Sequence, residues 1–262
     1  MGLSTPWATR PVKPVLTAED VHVWLADLDP PPADGRRLSA LLSDDERERA
    51  QRFHFERDQR RFAVGRGILR DILGLYLDWD PGRLMFAYGA RGKPMLSRGC
   101  GDGTLRFNLS HSQEVGLIAV ARSREVGVDI EHIRPMRDIE AMASRSFSRQ
   151  ESAALFGLSP ERRQRGFFAC WTRKEAYLKA IGDGLAFSLD AFAVSIDPDE
   201  PARLLWVAGE PNGPNDWTLV GVTPPRDAIG AVVVSGRGVR VACFLWSAAS
   251  CDPDASLSRR GA

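Results

Sequence analysis

Apolar and polar positions alternate twice along the chain in the same way. Val21, Val23 and Leu25 stand at every second residue, as do Val126, Val128 and Ile130, the pattern of a half-buried strand. The two segments match at an offset of 105, which also sets Leu28 on Ile133 and Pro30 on Pro135. The same offset carries Ser43 and Glu46 onto Ser148 and Glu151, two S-x-x-E pairs of the kind that close the first turn of a helix. A long helical stretch follows each cap and ends near a glycine, Gly74 in the first half and Gly182 in the second. Phe62, Leu69, Ile72, Leu73 and Tyr76 supply the apolar stripe of the first long helix.

Further strands are predicted near Arg83–Tyr88, Leu105–Leu109 and Val115–Ala121, then near Phe187–Ile196, Trp217–Val222, Ala228–Ser235 and Val239–Trp246. Helices interleaved with mostly hairpin-linked strands predict an α+β architecture of two pseudo-symmetric lobes, each a long helix packed on a small, mostly antiparallel sheet. The lobes are expected at 15–122 and 123–247, with the join near Arg122–Glu125. Residues 1–14 and 248–262, rich in small, polar or proline residues, are expected to be loose tails.

Composition narrows the functional classes. The 262 residues are 44% hydrophobic and 26% charged, ordinary for a globular protein, and the net charge of +1 gives no broad basic face for nucleic acid or an acidic membrane. Anion recognition must therefore come from local clusters. Cys100, Cys170, Cys243 and Cys251 form no C-x-x-C pair, which speaks against a zinc site or disulfide framework and for a reducing, cytoplasmic setting. No apolar run nears the ~20 residues that span a bilayer, and the first residues lack the plan of a signal peptide.

Candidate chemistry sits on three stretches. On the strand Val126–Glu131, Asp129 and Glu131 share the face opposite Val126, Val128 and Ile130, roughly 6–7 Å apart. Two such carboxylates repel unless a cation lies between them, and Mg²⁺ takes oxygen ligands of this kind. Alone, the pattern also describes the solvent face of an amphipathic strand. On the helix that ends at Gly182, Trp171, Glu175 and Lys179 make one stripe, with Lys174 beside it; an ordinary Glu–Lys surface pair is the plainer reading. Ser110, His111 and Ser112 end a strand and offer donors to phosphate oxygens, or merely a turn. Lys93 stands in a glycine-rich loop that departs from a P-loop, because Pro94 replaces the Ser or Thr such loops require. The first-half helices carry many arginines, a subset of which could hold a terminal phosphate.

Together, Phe107-Asn108-Leu109-Ser110-His111-Ser112, Gly127-Val128-Asp129-Ile130-Glu131 and Trp171-Thr172-Arg173-Lys174-Glu175-Ala176 with Lys179 resemble the 4′-phosphopantetheinyl transferases of the surfactin-synthetase-activating type. The Ser43–Phe53 helix and Gly92-Lys93-Pro94 agree, so the resemblance runs from about Val21 to Trp246. It implies two similar lobes with coenzyme A in the cleft between them, and a monomer that moves phosphopantetheine to a serine of an apo acyl or peptidyl carrier protein. It implies Asp129, Glu131 and Glu175 as Mg²⁺ ligands, and Lys93, Ser110, His111, Lys174 and Lys179 on the phosphates. Arg49 and Arg61 match basic positions near the 3′-phosphate; Glu46 departs, standing where some relatives have lysine, with Arg47 a possible substitute. Glu175 is the candidate base, with Glu151 behind it, and Lys179 the partner of the leaving group. A magnesium-dependent nuclease using D-x-E with a later E-x-x-x-K, and a non-catalytic coenzyme A or carrier-binding module, are the alternatives.

Overall fold

The computed structural model describes residues 6–90, 92–182 and 188–248. Six helices and twelve strands alternate along them: β1 (Trp7–Thr9), β2 (Asp20–Asp27), α1 (Pro32–Ala40), α2 (Asp44–Gln51), α3 (Glu56–Leu77), β3 (Phe86–Tyr88), β4 (Pro94–Leu96), β5 (Leu105–Ser112), β6 (Val115–Arg122), β7 (Val126–His132), α4 (Ile139–Ser146), α5 (Arg149–Gly157), α6 (Pro160–Ile181), β8 (Phe192–Val194), β9 (Leu204–Val207), β10 (Trp217–Val222), β11 (Ala228–Ser235) and β12 (Arg240–Leu245). The α+β expectation holds. So does the repeat: β2, α2 and α3 answer to β7, α5 and α6.

Local chemistry explains the ends of α6. Ser159 precedes Pro160, whose missing N–H costs nothing at a first helical position. Gly182 stops the helix at φ 76°, a left-handed conformation glycine adopts without penalty, and its N–H reaches Leu178 O at 3.1 Å. Both capping boxes form, at Ser43 with Glu46 and at Ser148 with Glu151.

Three apolar layers hold the protein together. One lies between α1, α3 and a five-stranded sheet of order β1-β12-β2-β6-β5. Another joins α6 to the three-stranded sheet β10-β11-β7 and its surroundings. The third lies between the two sheets, where Val21, Val23, Leu117 and Ala119 meet Val126, Val128 and Ile130. Each fully buried valine or isoleucine contributes about 1.5–3 kcal/mol, so this dry layer, more than any surface ion pair, joins the halves.

The topology departs from two simple lobes. The strand expected at the end of the second half forms, as β12, but pairs in parallel with β2 inside the first sheet. Trp7–Thr9 belong to no loose tail: β1 pairs with β12, Trp7 Nε1 donates to Thr223 O at 2.8 Å, and Arg10 meets Asp71 at 2.8 Å. Helices α1 and α4 answer no expected element. Phe187, Cys251 and residues 249–262 lie outside the described residues. Among the described residues, no helix is long and apolar enough to cross a membrane, and Cys100, Cys170 and Cys243 are buried free thiols.

Candidate functional site

The seam between the sheets is stitched by side chains at every second position of β5. Asn108 Oδ1 accepts from Val128 N at 2.9 Å, Ser110 Oγ donates to Asp129 Oδ1 at 2.7 Å, and Ser112 Oγ donates to Glu131 Oε2 at 2.7 Å. The alternation of the strand puts all three on one face. Ser110 and Ser112 therefore hold the carboxylates in place and are not turned outward as phosphate donors.

On β7, Gly127, Asp129 and Glu131 face α6. A Cβ on Gly127 would stand 2.1 Å from Ala176 O and 2.3 Å from Ala180 N, so only glycine lets the helix lie this close to the strand. That approach delivers Lys179, whose Nζ reaches Asp129 Oδ1 at 2.6 Å and Ser110 Oγ at 2.9 Å. Asp129 is buried rather than solvent-facing, and its other oxygen, Oδ2, is buried with no hydrogen-bond partner. Asp129, Ser110 and Lys179 thus form a compact polar knot with one unanswered acceptor.

Trp171, Glu175 and Lys179 form the partly exposed stripe of α6, as their spacing requires, while residues 172–174 and 176–178 are buried. The Glu175 carboxylate makes no hydrogen bond or ion pair among the described residues. Its carboxyl titrates above the ordinary range because burial disfavours its charge and Asp129, then Glu131, repel it; Lys179 opposes this. Glu175 therefore shares the electrostatic space of the β7 pair. Even so, among the described residues no three acidic, histidine or cysteine side chains stand as a ready metal cage; the cation at Asp129 is the Lys179 ammonium.

A carboxyl whose pKa is raised by folding holds its proton more tightly in the native state. Its stabilising contribution is thus present at low pH and lost as the pH rises through the folded value. Glu175→Gln is accordingly expected to raise the urea midpoint in divalent-free buffer at neutral pH, and to lose that advantage in acid. An unchanged midpoint would mean that Glu175 feels neither burial nor its acidic neighbours.

Next to this knot a cleft of about 450 Å³ is lined by His111, Gln113, Phe53, Arg57, Asp58, Arg61 and Phe62. His111 stands on the face of β5 opposite Ser110, and Gln113, at φ 55°, makes the tight turn into β6. The His111 imidazole is held below its ordinary pKa, first by the protein packed around it and then by the Lys179 charge. Arg61 reaches the same cleft but is already engaged by Asp29, with Nε to Oδ1 at 3.0 Å, and by Glu114 at 3.7 Å. Arg49 lies over the rings of Phe62 and Tyr88, at 5.6 and 5.8 Å.

Several expectations need correction. Lys174 does not reach a phosphate: it is fully buried and donates to Glu151 Oε1 and Oε2 at 2.7 and 2.8 Å and to Phe192 O at 2.7 Å. Glu151 is accordingly spent as partner of Lys174 and as helix cap, which removes it as a base. Lys93 is not a free point charge either. Its Nζ donates to Lys179 O at 2.7 Å, Val126 O at 3.2 Å and Ala180 O at 3.4 Å, tying the β3–β4 hairpin to the end of α6. Helix ends leave such carbonyls without partners, and a cation there is favourable. Glu46 lies in no phosphate pocket. It is fully buried between Arg66 and Arg70, at 2.5 and 2.7 Å, the first-half counterpart of the Glu151–Lys174 pair. Arg47 pairs with Asp44 at 2.7 Å on the surface. The sequence held a signal for both buried pairs: a capping-box glutamate with a cation 23 or 24 residues later.

Comparison with known proteins places both halves. Residues 27–123 match the family model for the 4′-phosphopantetheinyl transferase N-terminal domain, and residues 125–232 that for the 4′-phosphopantetheinyl transferase superfamily. The chain is 42% identical to the 4′-phosphopantetheinyl transferase HetI of Nostoc sp. over 90% of its own length and 96% of that protein. It is 32% identical to psf-1 of Bacillus pumilus, over 64% of this chain and 70% of the other. The Sfp transferase of Bacillus subtilis is 29% identical, over 63% and 71% respectively.

Proposed function

Because the chain belongs to the 4′-phosphopantetheinyl transferase superfamily, we propose that it moves the 4′-phosphopantetheine arm of coenzyme A to a serine of an apo acyl or peptidyl carrier protein. The products are the holo carrier and 3′,5′-adenosine bisphosphate. The observation that carries this reading is the knot of Asp129, Ser110 and Lys179 at the edge of the His111 cleft. It sets fixed charge beside a cleft whose arginines, Arg57 and Arg61, are held by Asp58 and Asp29.

Magnesium fits the same place. Asp129 Oδ2 is a buried acceptor with no partner, and Glu131 and Glu175 add oxygen donors beside it. Mg²⁺ is commonly held by one or two carboxylates and completed by substrate phosphate oxygens, so a closed protein cage is not required. When bound, the ion supplies neutralisation of the pyrophosphate charge.

The remaining work falls to the chain. The reaction breaks the bond between the β-phosphorus and the bridging oxygen of the pyrophosphate, and forms one from that phosphorus to the carrier serine oxygen. Positioning and charge stabilisation supply most of the help in such a transfer. Two of the three Lys179 protons are engaged by Asp129 and Ser110, and the ammonium remains partly exposed to meet the departing phosphate. We assign His111 and the arginines of the cleft, Arg57 and Arg61, to the adenosine phosphates because they line the cleft together. The serine proton passes to a Glu175 carboxylate oxygen. A raised pKa suits a base at neutral pH, since proton affinity and the charged form are both available there. Buried free thiols suit a reducing cytoplasm, where we place the enzyme as a monomer.

Mass spectrometry of an apo carrier protein incubated with enzyme, coenzyme A and Mg²⁺ tests this reading through the mass gain of one phosphopantetheine. Asp129→Ala is expected to lower the rate at least about a hundredfold, the scale of removing one preorganised electrostatic group. A variant transferring at near-normal rate would remove the site assignment.

A further inference from the structure

A second cleft, of about 420 Å³, shares no residue with the seam site. Arg165 and Arg173 of α6 line it, across from Asp199 and Glu200 of the 198–202 segment and from Gly221 and Thr223 on and after β10. β10 is an edge strand, paired only with β11, so one row of its backbone groups is not used by the sheet.

The charges around this cleft do not cancel. Asp197 and Asp199 both engage Arg162, at 2.5 and 2.6 Å, and Glu200 faces Arg203 at 3.9 Å. The Arg165 side chain, half-buried, has no hydrogen bond or ion pair among the described residues. Arg173 is 3% exposed, yet its acceptors are uncharged: Ser195 O at 2.7 Å, Ser195 Oγ at 3.1 Å and Asp197 O at 3.2 Å. Burial pushes its guanidinium down to about 10. Those three bonds occupy part of the five-donor fork. A Cβ on Gly221 would stand 3.9 Å from Nη2, so the missing side chain leaves this end of the fork open to the cleft. The carboxylates that attract it, Asp197 and Glu200, are shared with Arg162 and Arg203, so a ligand that brings further negative charge offsets part of the cost of burying this cation.

We propose that this cleft binds a small oxyanion-bearing ligand, a carboxylate or a phosphate, between Arg165 and Arg173, apart from the transferase site. Gly221 forms the gate: a Cβ there has ordinary contact space, 3.8 Å from the Ala202 Cβ and 3.9 Å from Nη2, and a branched side chain built on it would cover Nη2.

The test is arginine Nε–Hε NMR on the full chain, titrated separately with citrate and with inorganic phosphate. Saturable shifts of the Arg165 and Arg173 resonances are expected. A response to citrate alone assigns a carboxylate ligand, and a response to phosphate alone assigns a phosphate. Arg165→Gln should weaken binding at least about tenfold, and Gly221→Val should abolish the Arg173 shift while pantetheine transfer proceeds at the wild-type rate. Resonances unmoved by either anion, shifts confined to Arg61, or an Arg165→Gln variant that binds like wild type would each overturn the proposal. The readout is independent of catalysis, so failure here leaves the transferase reading intact, and the reverse.

Discussion

Lys174→Met is expected to destabilise the protein by about 3–5 kcal/mol, because it leaves the Glu151 carboxylate buried without its cation. Lys174 and Glu151 are both fully buried, and the ammonium has no route to solvent. Glu151 loses its strongest partner while keeping only the Ser148 N–H at 2.8 Å, the Val194 N–H at 2.9 Å and the Cys170 thiol at 3.7 Å. The double variant Lys174→Met with Glu151→Leu should recover most of that loss, since an apolar pair of similar volume carries no desolvation cost. Urea denaturation of the four proteins of this cycle measures the coupling directly. A single variant with native stability and a raised KM for coenzyme A would instead return Lys174 to the phosphates and overturn its burial as the explanation.

Gly127→Ala is the second large effect. The added methyl would stand 2.1 Å from a main-chain carbonyl and 2.3 Å from a main-chain nitrogen of α6, and neither can rotate away. The helix must move off β7. Overpacking of this kind costs about 1–3 kcal/mol and can exceed it where backbone is struck. The functional cost should exceed the stability cost, because the helix shift withdraws Lys179 from Asp129, now 2.6 Å away. A misplacement of about 1 Å can cost a hundredfold in rate. Circular dichroism melting together with the carrier mass-gain assay separates the two effects. A folded variant with unimpaired transfer would show that close contact between α6 and β7 does not set the site.

The two buried pairs are not legible in the sequence, for a physical reason. Glu–Lys and Arg-rich patterns on helices ordinarily face water, where such pairs contribute a few tenths of a kcal/mol. The S-x-x-E glutamates announced their caps correctly, but not that Glu46 would take two arginines or Glu151 a lysine into the core. That depends on α3 and α6 crossing above their caps, a contact between segments more than twenty residues apart. The place of Lys93 is hidden for a similar reason. A glycine-rich loop with one lysine looks like an anion site until the end of another helix, with its own unpaired carbonyls, is laid against it.

What the sequence determined by itself was local and periodic: the alternation of β2 and β7, both capping boxes, both long helices, the glycine stop at Gly182, and the shared faces of Asp129 with Glu131 and of Glu175 with Lys179. These follow from backbone geometry within one element, so spacing suffices. Only the tertiary structure decided that β12 completes the first sheet, that Trp7–Thr9 extends it, that Ser110 turns inward to Asp129, and that Gly127 sets the distance at which Lys179 arrives. Each of these is a meeting of distant segments chosen by which apolar faces can be covered together, and no pattern along a single stretch of chain records that choice.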